Sequence, residues 1–476
     1  MTDKQPGDQV DSNFKSKFLS DAERIKDKLD KVGPGFCLAK WNQTSLHLTT
    51  GHTNSCYHPR PHKIDSEAIK LDPSALHNTE FKKSVRQEML DGKKPAECSY
   101  CWQIEDTGNL SDRHYRSGEP WAADDFETIV EKGSQWNVVP KYVEIDINSA
   151  CNLTCSYCSP QYSSKWMEHS KQFGAYPTNV PHNDPSYFEG PRRPIPHREH
   201  NPYVEAFWKW WPTLYPELRH FRLTGGEPLL DRNLYKILEW VHQNPKPNLH
   251  LAVTSNFSVE DSIFDNYLEQ VSKISKPGHV EHFQQYVSLD SIGKQAEYMR
   301  AGMRYERVMN NVRKFLTQIP SANSVNFIIT TQALSVFGLH GLMEQIFMLR
   351  QEFSNTYQRI WFDTPLLHSP NWMTVNILPD RFKSHIIGAL GYMDARMETP
   401  AKRFKGFKDY EYKKVNRVLD WWKDNEVSGA PLFRKMSDFY NFYNEYDRRH
   451  GFKFAETFPE LTNFYRECKI NATQPR

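Results

Sequence analysis

The chain has 476 residues, with 60 Lys and Arg against 58 Asp and Glu, so its formal net charge is +2. A charge this close to zero argues against general binding to nucleic acid or to membrane surfaces. No apolar run approaches the roughly 18 residues of a membrane-spanning helix, and residues 1–30 lack the apolar core of a secretory signal. The composition therefore predicts a cytoplasmic protein of two or three domains.

Four of the eight cysteines lie near the beginning of the chain, at Cys37, Cys56, Cys98 and Cys101. Four thiolates are enough for a fully ligated iron–sulfur cluster or for a structural zinc site, and the spacing leaves both open. Cys468 stands alone near the carboxyl terminus and is predicted to be a free thiol.

A second group of cysteines follows the strand-like segment Tyr142–Ile147. Cys151, Cys155 and Cys158 have the spacing C-x3-C-x2-C. Three thiolates can hold three irons of a cubane [4Fe–4S] cluster, which leaves the fourth iron open to a small molecule. Zinc would need a fourth ligand nearby, and the nearest downstream histidine is His169. A disulfide cluster is disfavoured because nothing else in the chain indicates secretion.

The stretch between the cysteine triplet and the next strand is longer than a crossover helix requires. Residues Tyr176–Pro202 are rich in proline and histidine, which predicts an irregular insertion at about residues 170–205. A substrate lid and a surface loop are both compatible with this composition. The aromatic run Phe207–Trp211 predicts a helix that packs on the core.

The next strand-like run, Leu218–Leu223, leads into Gly225, Gly226, Glu227 and Pro228. Adjacent glycines let the backbone turn sharply and lie close to a ligand. The Glu227 carboxylate and nearby backbone carbonyls can accept hydrogen bonds from an ammonium group. Gly-Gly before Glu-Pro is otherwise an ordinary turn, so its interpretation depends on the cysteine triplet before it.

The central region alternates short β-rich runs with segments that carry apolar residues at helical spacing. This alternation predicts parallel strands joined by right-handed crossovers, and therefore an α/β fold. Six such units predict a partial (β/α)6 TIM-like barrel, whose ligands collect at the carboxyl ends of the strands. The predicted strands are Tyr142–Ile147, Leu218–Leu223, Leu249–Thr254, Gln284–Leu289, Val325–Thr330 and Arg359–Phe362.

The carboxyl-terminal region, from about Ala401, is rich in aromatic and charged residues, including Trp421, Trp422, Phe442 and Tyr443. Such interleaving can indicate stacking of single-stranded nucleic acid. At helical spacing it favours an amphipathic helical region that covers one face of the barrel.

The cysteine triplet followed by Gly225–Pro228 resembles the radical S-adenosylmethionine (SAM) superfamily. The order Cys98-Ser-Tyr-Cys101, then the triplet, then Ser163-Ser-Lys-Trp166 is similar to a twitch/SPASM-type family of bacterial and phage genomes. That family places an auxiliary-cluster module before the barrel, and the resemblance covers the chain from about Gly35 to about Leu461. Many relatives carry two adjacent cysteines where this chain has Cys56-Tyr57.

The resemblance implies four segments. Residues 1–34 form a polar extension, and residues 35–135 form a twitch/SPASM-like module. Residues 136–400 form the radical SAM partial barrel, and residues 401–476 form the helical region. In the module, Cys37, Cys56, Cys98 and Cys101 are expected to hold an auxiliary [4Fe–4S] cluster, with zinc as the alternative.

The resemblance also implies an activity. An oxygen-sensitive [4Fe–4S] cluster on the triplet would bind SAM and cleave it reductively to a 5′-deoxyadenosyl radical, which abstracts hydrogen from a peptide or a small molecule. An external one-electron reductant of the flavodoxin or ferredoxin type would supply the electron. Two alternatives stay open: a non-catalytic zinc or iron–sulfur scaffold, and a radical SAM enzyme acting on nucleic acid, against which the charge argues.

Finally, the resemblance assigns roles to polar residues at strand ends. Beside Gly225, Gly226, Glu227 and Pro228, the cofactor-binding residues would be Asn256, Ser288, Asp290 and Arg300, the last near the SAM carboxylate. Phe257 and Ser291 stand where relatives have glycine. The alternative for each of these four polar residues is a strand-end cap or a surface charge.

Overall fold

The computed structural model describes residues 8–183, 190 and 193–473. Parts of the insertion predicted at about 170–205, and the ends of the segments predicted at 1–34 and 401–476, lie outside the described residues. None of the described helices combines the length and the apolar composition that a bilayer crossing requires.

The bounds of the described elements follow in chain order. The strands are β1 Gln43–His47, β2 His52–Asn54, β3 His62–Lys63, β4 Tyr142–Asp146, β5 Thr154–Cys155, β6 His220–Thr224, β7 Lys246–Ser255, β8 Val280–Ser288, β9 Arg300–Ala301, β10 Ser324–Ile328 and β11 Ile360–Asp363. The α-helices are α1 Asp8–Val32, α2 Ala39–Asn42, α3 Ala68–Leu71, α4 Glu80–Leu90, α5 Ser99–Glu105, α6 Asp112–Gly118, α7 Pro120–Ala123, α8 Phe126–Lys132, α9 Ser164–Phe173, α10 Pro202–Glu217, α11 Arg232–Gln243, α12 Asp261–Ile274, α13 Gly293–Met299, α14 Tyr305–Gln318, α15 Leu339–Phe353, α16 Lys383–Asp394, α17 Asp409–Asp424, α18 Gly429–His450, α19 Phe454–Thr457 and α20 Thr462–Thr473. Short 3-10 helices lie at Pro73–Leu76, Ala96–Cys98, Pro228–Leu230, Ser335–Phe337, Val375–Ile377, Asp380–Phe382, Pro400–Lys402 and Pro459–Leu461.

The chain divides into two units. The first contains the described residues of Met1–Ile147, Arg198–Leu223 and Asn248–His250; the second contains those of Asn148–His197, Thr224–Pro247 and Leu251–Arg476. The domain boundaries predicted from the resemblance stay a prediction.

The first unit contains the strands β6-β4-β1-β2-β3 in that order. Strand β1 runs parallel to β4, with Leu46 opposite Ile145, and antiparallel to β2. A segment from the beginning of the chain therefore adds a strand directly beside β4. A hydrophobic core lies under this part of the chain, and its most buried side chains include Leu29, Phe36, Leu38, Trp41, Met89 and Ile129.

The second unit contains most of β7 and then β8, β10 and β11 as neighbours. Strands β8, β10 and β11 are parallel. Helix α11 begins after Asp231, whose carboxylate caps the N–H of Asn233, and it buries Leu234, Ile237, Leu238 and Val241. That spacing places the four apolar side chains on one face of the helix.

The carboxyl-terminal region is helical, as the sequence predicts. Helix α18 packs against α20 and buries Phe439, Phe442, Tyr443 and Tyr446. Aromatic rings that are buried in this way are not available for stacking with nucleic-acid bases. The predicted α/β fold class, with its central parallel sheet and its helical carboxyl-terminal region, is confirmed.

Candidate functional site

The cysteine triplet lies in the second unit, in the loop that follows β4. Cys155 is buried in β5, Cys151 and Cys158 are half-buried, and all three are free thiols. Helix α9 braces this loop from its first turn: the Cys151 N–H donates to Ser164 Oγ at 3.1 Å, and Trp166 Nε1 donates to the Cys155 carbonyl at 2.9 Å. The Ser-Ser-Lys-Trp motif therefore fixes the backbone that carries the cysteines.

The glycine loop after β6 lies directly against the cysteine loop. The Gly226 N–H donates to the Asn148 carbonyl at 3.2 Å, and the Glu227 N–H donates to the Ala150 carbonyl at 2.6 Å. A Cβ atom on Gly226 would lie 2.3 Å from the Ala150 oxygen, so only glycine fits there. Gly225 has a φ of 133°, which L-residues with a side chain rarely adopt. The two glycines thus serve two needs, close approach and an unusual backbone angle.

The Glu227 side chain is buried and fully engaged. Its Oε1 accepts from the Leu229 N–H at 3.1 Å and from Ser255 Oγ at 2.7 Å, and its Oε2 accepts from the Asn256 N–H at 2.7 Å. Burial raises the pKa of this carboxyl to about 7, while the three hydrogen bonds act in the opposite direction. In this structure, Glu227 ties the glycine loop to the end of β7.

Asn256 links the end of β7 to the cysteine loop. Its Nδ2 donates to Asn152 Oδ1 at 2.9 Å, and its Oδ1 accepts from the Ser258 N–H at 2.7 Å. The next residue, Phe257, has a φ of 53°, which explains why glycine would suit this position. Its fully buried ring packs against Phe264 at 4.8 Å between centroids, which offsets the backbone strain.

Asp290 and Arg300 form a buried ion pair beside the cysteines. Arg300 Nε and Nη2 donate to Oδ2 and Oδ1 of Asp290 at 2.8 and 3.0 Å, while Arg300 Nη1 donates to Cys155 Sγ at 3.7 Å. Asp290 also accepts from the Tyr157 hydroxyl at 2.7 Å and from the Thr330 N–H at 2.8 Å. Each carboxylate oxygen therefore accepts two hydrogen bonds.

The remaining predicted cofactor residues also lie at strand ends. Ser288 is the last residue of β8 and is half-buried, and Pro228 is buried at the start of the helix Pro228–Leu230. Arg300 differs, because it lies in β9, whose backbone pairs with β5. The carboxyl ends of the strands thus collect the predicted residues, as parallel α/β architecture requires.

Burial dominates the titration of the triplet. It raises the pKa of the Cys151 thiol to about 12, with the neighbouring Cys155 adding to the rise. Burial also raises the pKa of Cys155, although Arg300 acts against it. Bound metal reverses this tendency, because a coordinating thiol is deprotonated.

The other four predicted ligands lie in the first unit and share one cavity. Cys37, Cys56, Cys98 and Cys101 all line it. Burial raises the pKa of the Cys56 and Cys101 thiols to about 12 and that of Cys98 to about 11. The convergence is not local, because Cys37 precedes α2, Cys56 follows β2, Cys98 ends the helix Ala96–Cys98 and Cys101 lies in α5.

Lys40 stands in the wall of this cavity and is 3% exposed. Its ammonium group donates a hydrogen bond to the Glu97 carboxylate. Burial lowers the pKa of Lys40, but the negative charges of Cys98 and Glu97 outweigh it and the net direction is upward. Residue type alone does not single out Lys40 among the lysines of the chain; its one signal in the sequence is its place three residues after Cys37.

Across the described parts of the chain, no three His, Cys, Asp or Glu side chains are close enough together to hold one metal ion. A zinc ion with bonds of about 2.3 Å holds its sulfurs only about 4 Å apart. A cubane cluster does not need such close spacing, because each cysteine binds a different iron. The donor set of the triplet, three free thiols in one loop, suits a cluster in which each cysteine binds a separate iron.

No protein-family model matches the chain. A curated GTP 3′,8-cyclase from Nautilia profundicola is 26% identical over 151 residues, which are 32% of this chain and 35% of that protein. The chain therefore spans about a third of the length of this relative.

Two solved structures of Streptococcus suis SuiB are also similar. SuiB bound to the precursor peptide SuiA is 12% identical, with 75% of this chain and 70% of that chain covered and a TM-score of 0.32. SuiB bound to S-adenosylmethionine is 14% identical, with 82% and 72% covered and a TM-score of 0.32.

The similarity to the cyclase is consistent with the cysteine loop and the glycine loop described above. A cysteine triplet and a Gly-Gly-Glu-Pro loop, in that order and after consecutive strands of the sheet, support the radical SAM superfamily as the class of this chain. Within that class, the twitch/SPASM assignment remains a prediction.

Proposed function

We propose that the chain is a cytoplasmic, oxygen-sensitive radical SAM enzyme that acts on a peptide or a small molecule. Cys151, Cys155 and Cys158 would hold a [4Fe–4S] cluster. When bound, this cluster and SAM would supply the radical chemistry, through reductive cleavage of SAM to a 5′-deoxyadenosyl radical. An external carrier of the flavodoxin or ferredoxin type would deliver the electron. The protein would orient SAM and the substrate and exclude water from the site.

One observation carries this proposal: the backbone contact between the glycine loop and the cysteine loop. The bonds from Gly226 and Glu227 to Asn148 and Ala150 hold two motifs together that lie far apart in sequence. This close approach of the two loops requires glycine at Gly226, where an added Cβ would meet the Ala150 oxygen. The loop Gly225–Pro228 is therefore the proposed binding site of the SAM amino group.

The remaining polar residues would orient the site. Glu227 and Asn256 hold the glycine loop, the end of β7 and the cysteine loop in fixed register through the hydrogen bonds described above. Ser288, Asp290 and Arg300 complete the proposed cofactor-binding set. Asp290 has both carboxylate oxygens occupied, so it would act by positioning its neighbours.

For the amino-terminal module, we infer an auxiliary [4Fe–4S] cluster held by Cys37, Cys56, Cys98 and Cys101. What supports this is that the four thiols come from separate parts of the sequence and line one cavity. Lys40, Arg113 and Arg116 line it with them, and each is ion-paired with a carboxylate: Lys40 with Glu97, Arg113 with Glu105 and Arg116 with Glu119.

Anaerobic reconstitution tests both assignments. Wild-type protein should be brown and hold about eight irons per chain, as two cubane clusters require. Cys155→Ala and Cys98→Ala should each lose about half of the iron. Only variants with an intact triplet should show an electron paramagnetic resonance (EPR) signal that changes on addition of SAM. With SAM and dithionite, wild-type protein should release 5′-deoxyadenosine.

Cys468→Ala is the matched control, because Cys468 is buried like Cys155 but lies in α20, outside both cysteine groups. Its iron content and its response to SAM should equal those of wild type. Colourless protein that binds zinc alone would contradict the proposal and support a metal-binding scaffold. If wild-type protein does release 5′-deoxyadenosine, the substrate can be identified by incubation with cell extract, from the deuterium that the substrate transfers into 5′-deoxyadenosine.

A further inference from the structure

Arg300 is held opposite Cys155 by the backbone. Strand β9 pairs antiparallel with β5, and the register places Arg300 across from Cys155. The Ser156 N–H also donates to the Met299 carbonyl at 2.8 Å. The guanidinium therefore reaches the Cys155 sulfur from a fixed strand rather than from a mobile loop.

The orientation of the guanidinium is equally fixed. Two of its donors form parallel bonds to Asp290, which is itself anchored by Tyr157 and Thr330. Both members of the ion pair are buried, with Arg300 6% and Asp290 0% exposed. A bidentate pair of this kind has a strong geometric preference. The ion pair leaves the third nitrogen, Nη1, free to donate to Cys155 Sγ at 3.7 Å.

We propose that Arg300 is a positioning residue that raises the reduction potential of a cluster held by the triplet, through a charge-assisted N–H···S hydrogen bond to Cys155. This inference rests on the proposed function. It differs from the contact with the SAM carboxylate that the resemblance implies, because Asp290 already occupies two donors of Arg300 in parallel.

The direction follows from electrostatics. When the external one-electron carrier delivers its electron, the thiolate sulfur of Cys155 becomes more negative, and no covalent bond forms or breaks. A hydrogen-bond donor and a positive charge at that sulfur stabilise the reduced state more than the oxidised state. Asp290 offsets the charge of Arg300 at longer range but not the hydrogen bond itself. The net effect of Arg300 is therefore to favour electron entry.

The test is a redox titration of the reconstituted protein, monitored by the part of the EPR signal that responds to SAM. At a fixed ambient potential, Arg300→Met should lower the ratio of reduced to oxidised cluster about tenfold, equivalent to 59 mV for one electron. Arg304→Met is the matched control, since it removes the same charge from an exposed side chain four residues later. Its ratio should equal that of wild type. A ratio for Arg300→Met within twofold of wild type would overturn the proposal.

Arg300→Lys separates charge from geometry, because an ammonium group cannot make two parallel bonds to Asp290 and also reach Cys155. Its ratio should fall between those of Arg300→Met and wild type, and it replaces Arg300→Met if that variant holds no iron. A wild-type ratio in Arg300→Lys would then overturn the proposal.

A measurement on unaltered protein completes the test. In wild-type protein labelled with 15N-arginine, pulsed EPR of the reduced, SAM-responsive signal should detect a weakly coupled guanidinium nitrogen, and its absence would refute the hydrogen bond. Failure of the proposed function is distinguishable, because wild-type protein would then show no SAM-responsive signal at all.

Discussion

Gly226→Ala tests the contact on which the proposed site depends. The new Cβ would lie 2.3 Å from the Ala150 oxygen and 2.7 Å from the Ser149 carbonyl carbon, and both of these are backbone atoms that no rotamer change can move. To reach even a tight contact, the two loops must separate by about 0.7 Å or more. The φ of Gly226 is not positive, so the effect is steric and not conformational.

The cost can be estimated from the bonds that the separation breaks. The bond from the Glu227 N–H to the Ala150 carbonyl is 2.6 Å long and would lengthen beyond good geometry. Loss of this bond costs about 1 kcal/mol, and overpacking adds about 1–3 kcal/mol. A total of about 2–4 kcal/mol lowers the urea midpoint by about 1 M at a slope of 2–3 kcal/mol/M.

Urea unfolding followed by tryptophan fluorescence measures this midpoint, and the SAM-induced EPR change measures the state of the site. Gly391→Ala is the control: it lies inside α16, where an added Cβ meets nothing within 4 Å. It should stabilise the protein by about 0.5–1 kcal/mol, because alanine favours a helix interior. A Gly226→Ala protein with the wild-type midpoint and an unchanged response to SAM would refute the reasoning.

Three further predictions concern stability in urea. Burial raises the pKa of Glu227 to about 7 from 4.5, so the folded protein keeps a proton that the unfolded chain releases. Stability should therefore fall as pH rises from 4.5 to 7, and Glu227→Gln, measured over the same range, should lack this component of the slope. Glu411→Gln should cost about 3–5 kcal/mol, because it takes the paired carboxylate away from the fully buried Arg350 guanidinium. Asp409→Asn, which breaks an exposed ion pair, should change stability by less than about 0.5 kcal/mol, and equal effects would contradict the role of burial. Phe257→Gly should destabilise the protein by about 2–4 kcal/mol, since loss of the buried ring costs more than relief of the positive φ gains. A variant more stable than wild type would show that the backbone strain costs more than the ring contributes.

The strands and the positions of the motifs could be predicted because their signals are local. In β7, Leu249, Leu251 and Val253 alternate with less buried residues, and the structure buries these three side chains. The strand ends where polar residues begin, so Asn256 falls at its carboxyl end. Alternation and strand-end position depend only on residues that are neighbours in the sequence, so both can be recognised before the tertiary contacts are known.

The pairing of β1 with β4 could not be predicted in the same way. Strand β1, Gln43–His47, is mostly polar, yet four of its five residues are buried. Some of its polar side chains bond to distant partners; Thr44 Oγ1, for example, accepts from the buried Lys82 ammonium group at 2.9 Å. A polar strand with no alternation gives no periodic signal, and parallel partners far apart in sequence leave no turn between them.

The site residues themselves could be predicted from the sequence, but their hydrogen-bond partners could not. Glu227, Asn256 and Asp290 were predicted as polar groups at strand ends that would contact a cofactor. The structure shows that their side chains bond mainly to neighbouring loops: Glu227 to the end of β7, Asn256 to the cysteine loop, and Asp290 to Arg300. Because buried polar groups must be paired, each bond made within the protein fixes a loop and removes a contact available to a ligand. A substitution at any of the three should therefore first disturb the segment that its side chain holds, and the affinity for a cofactor only as a consequence.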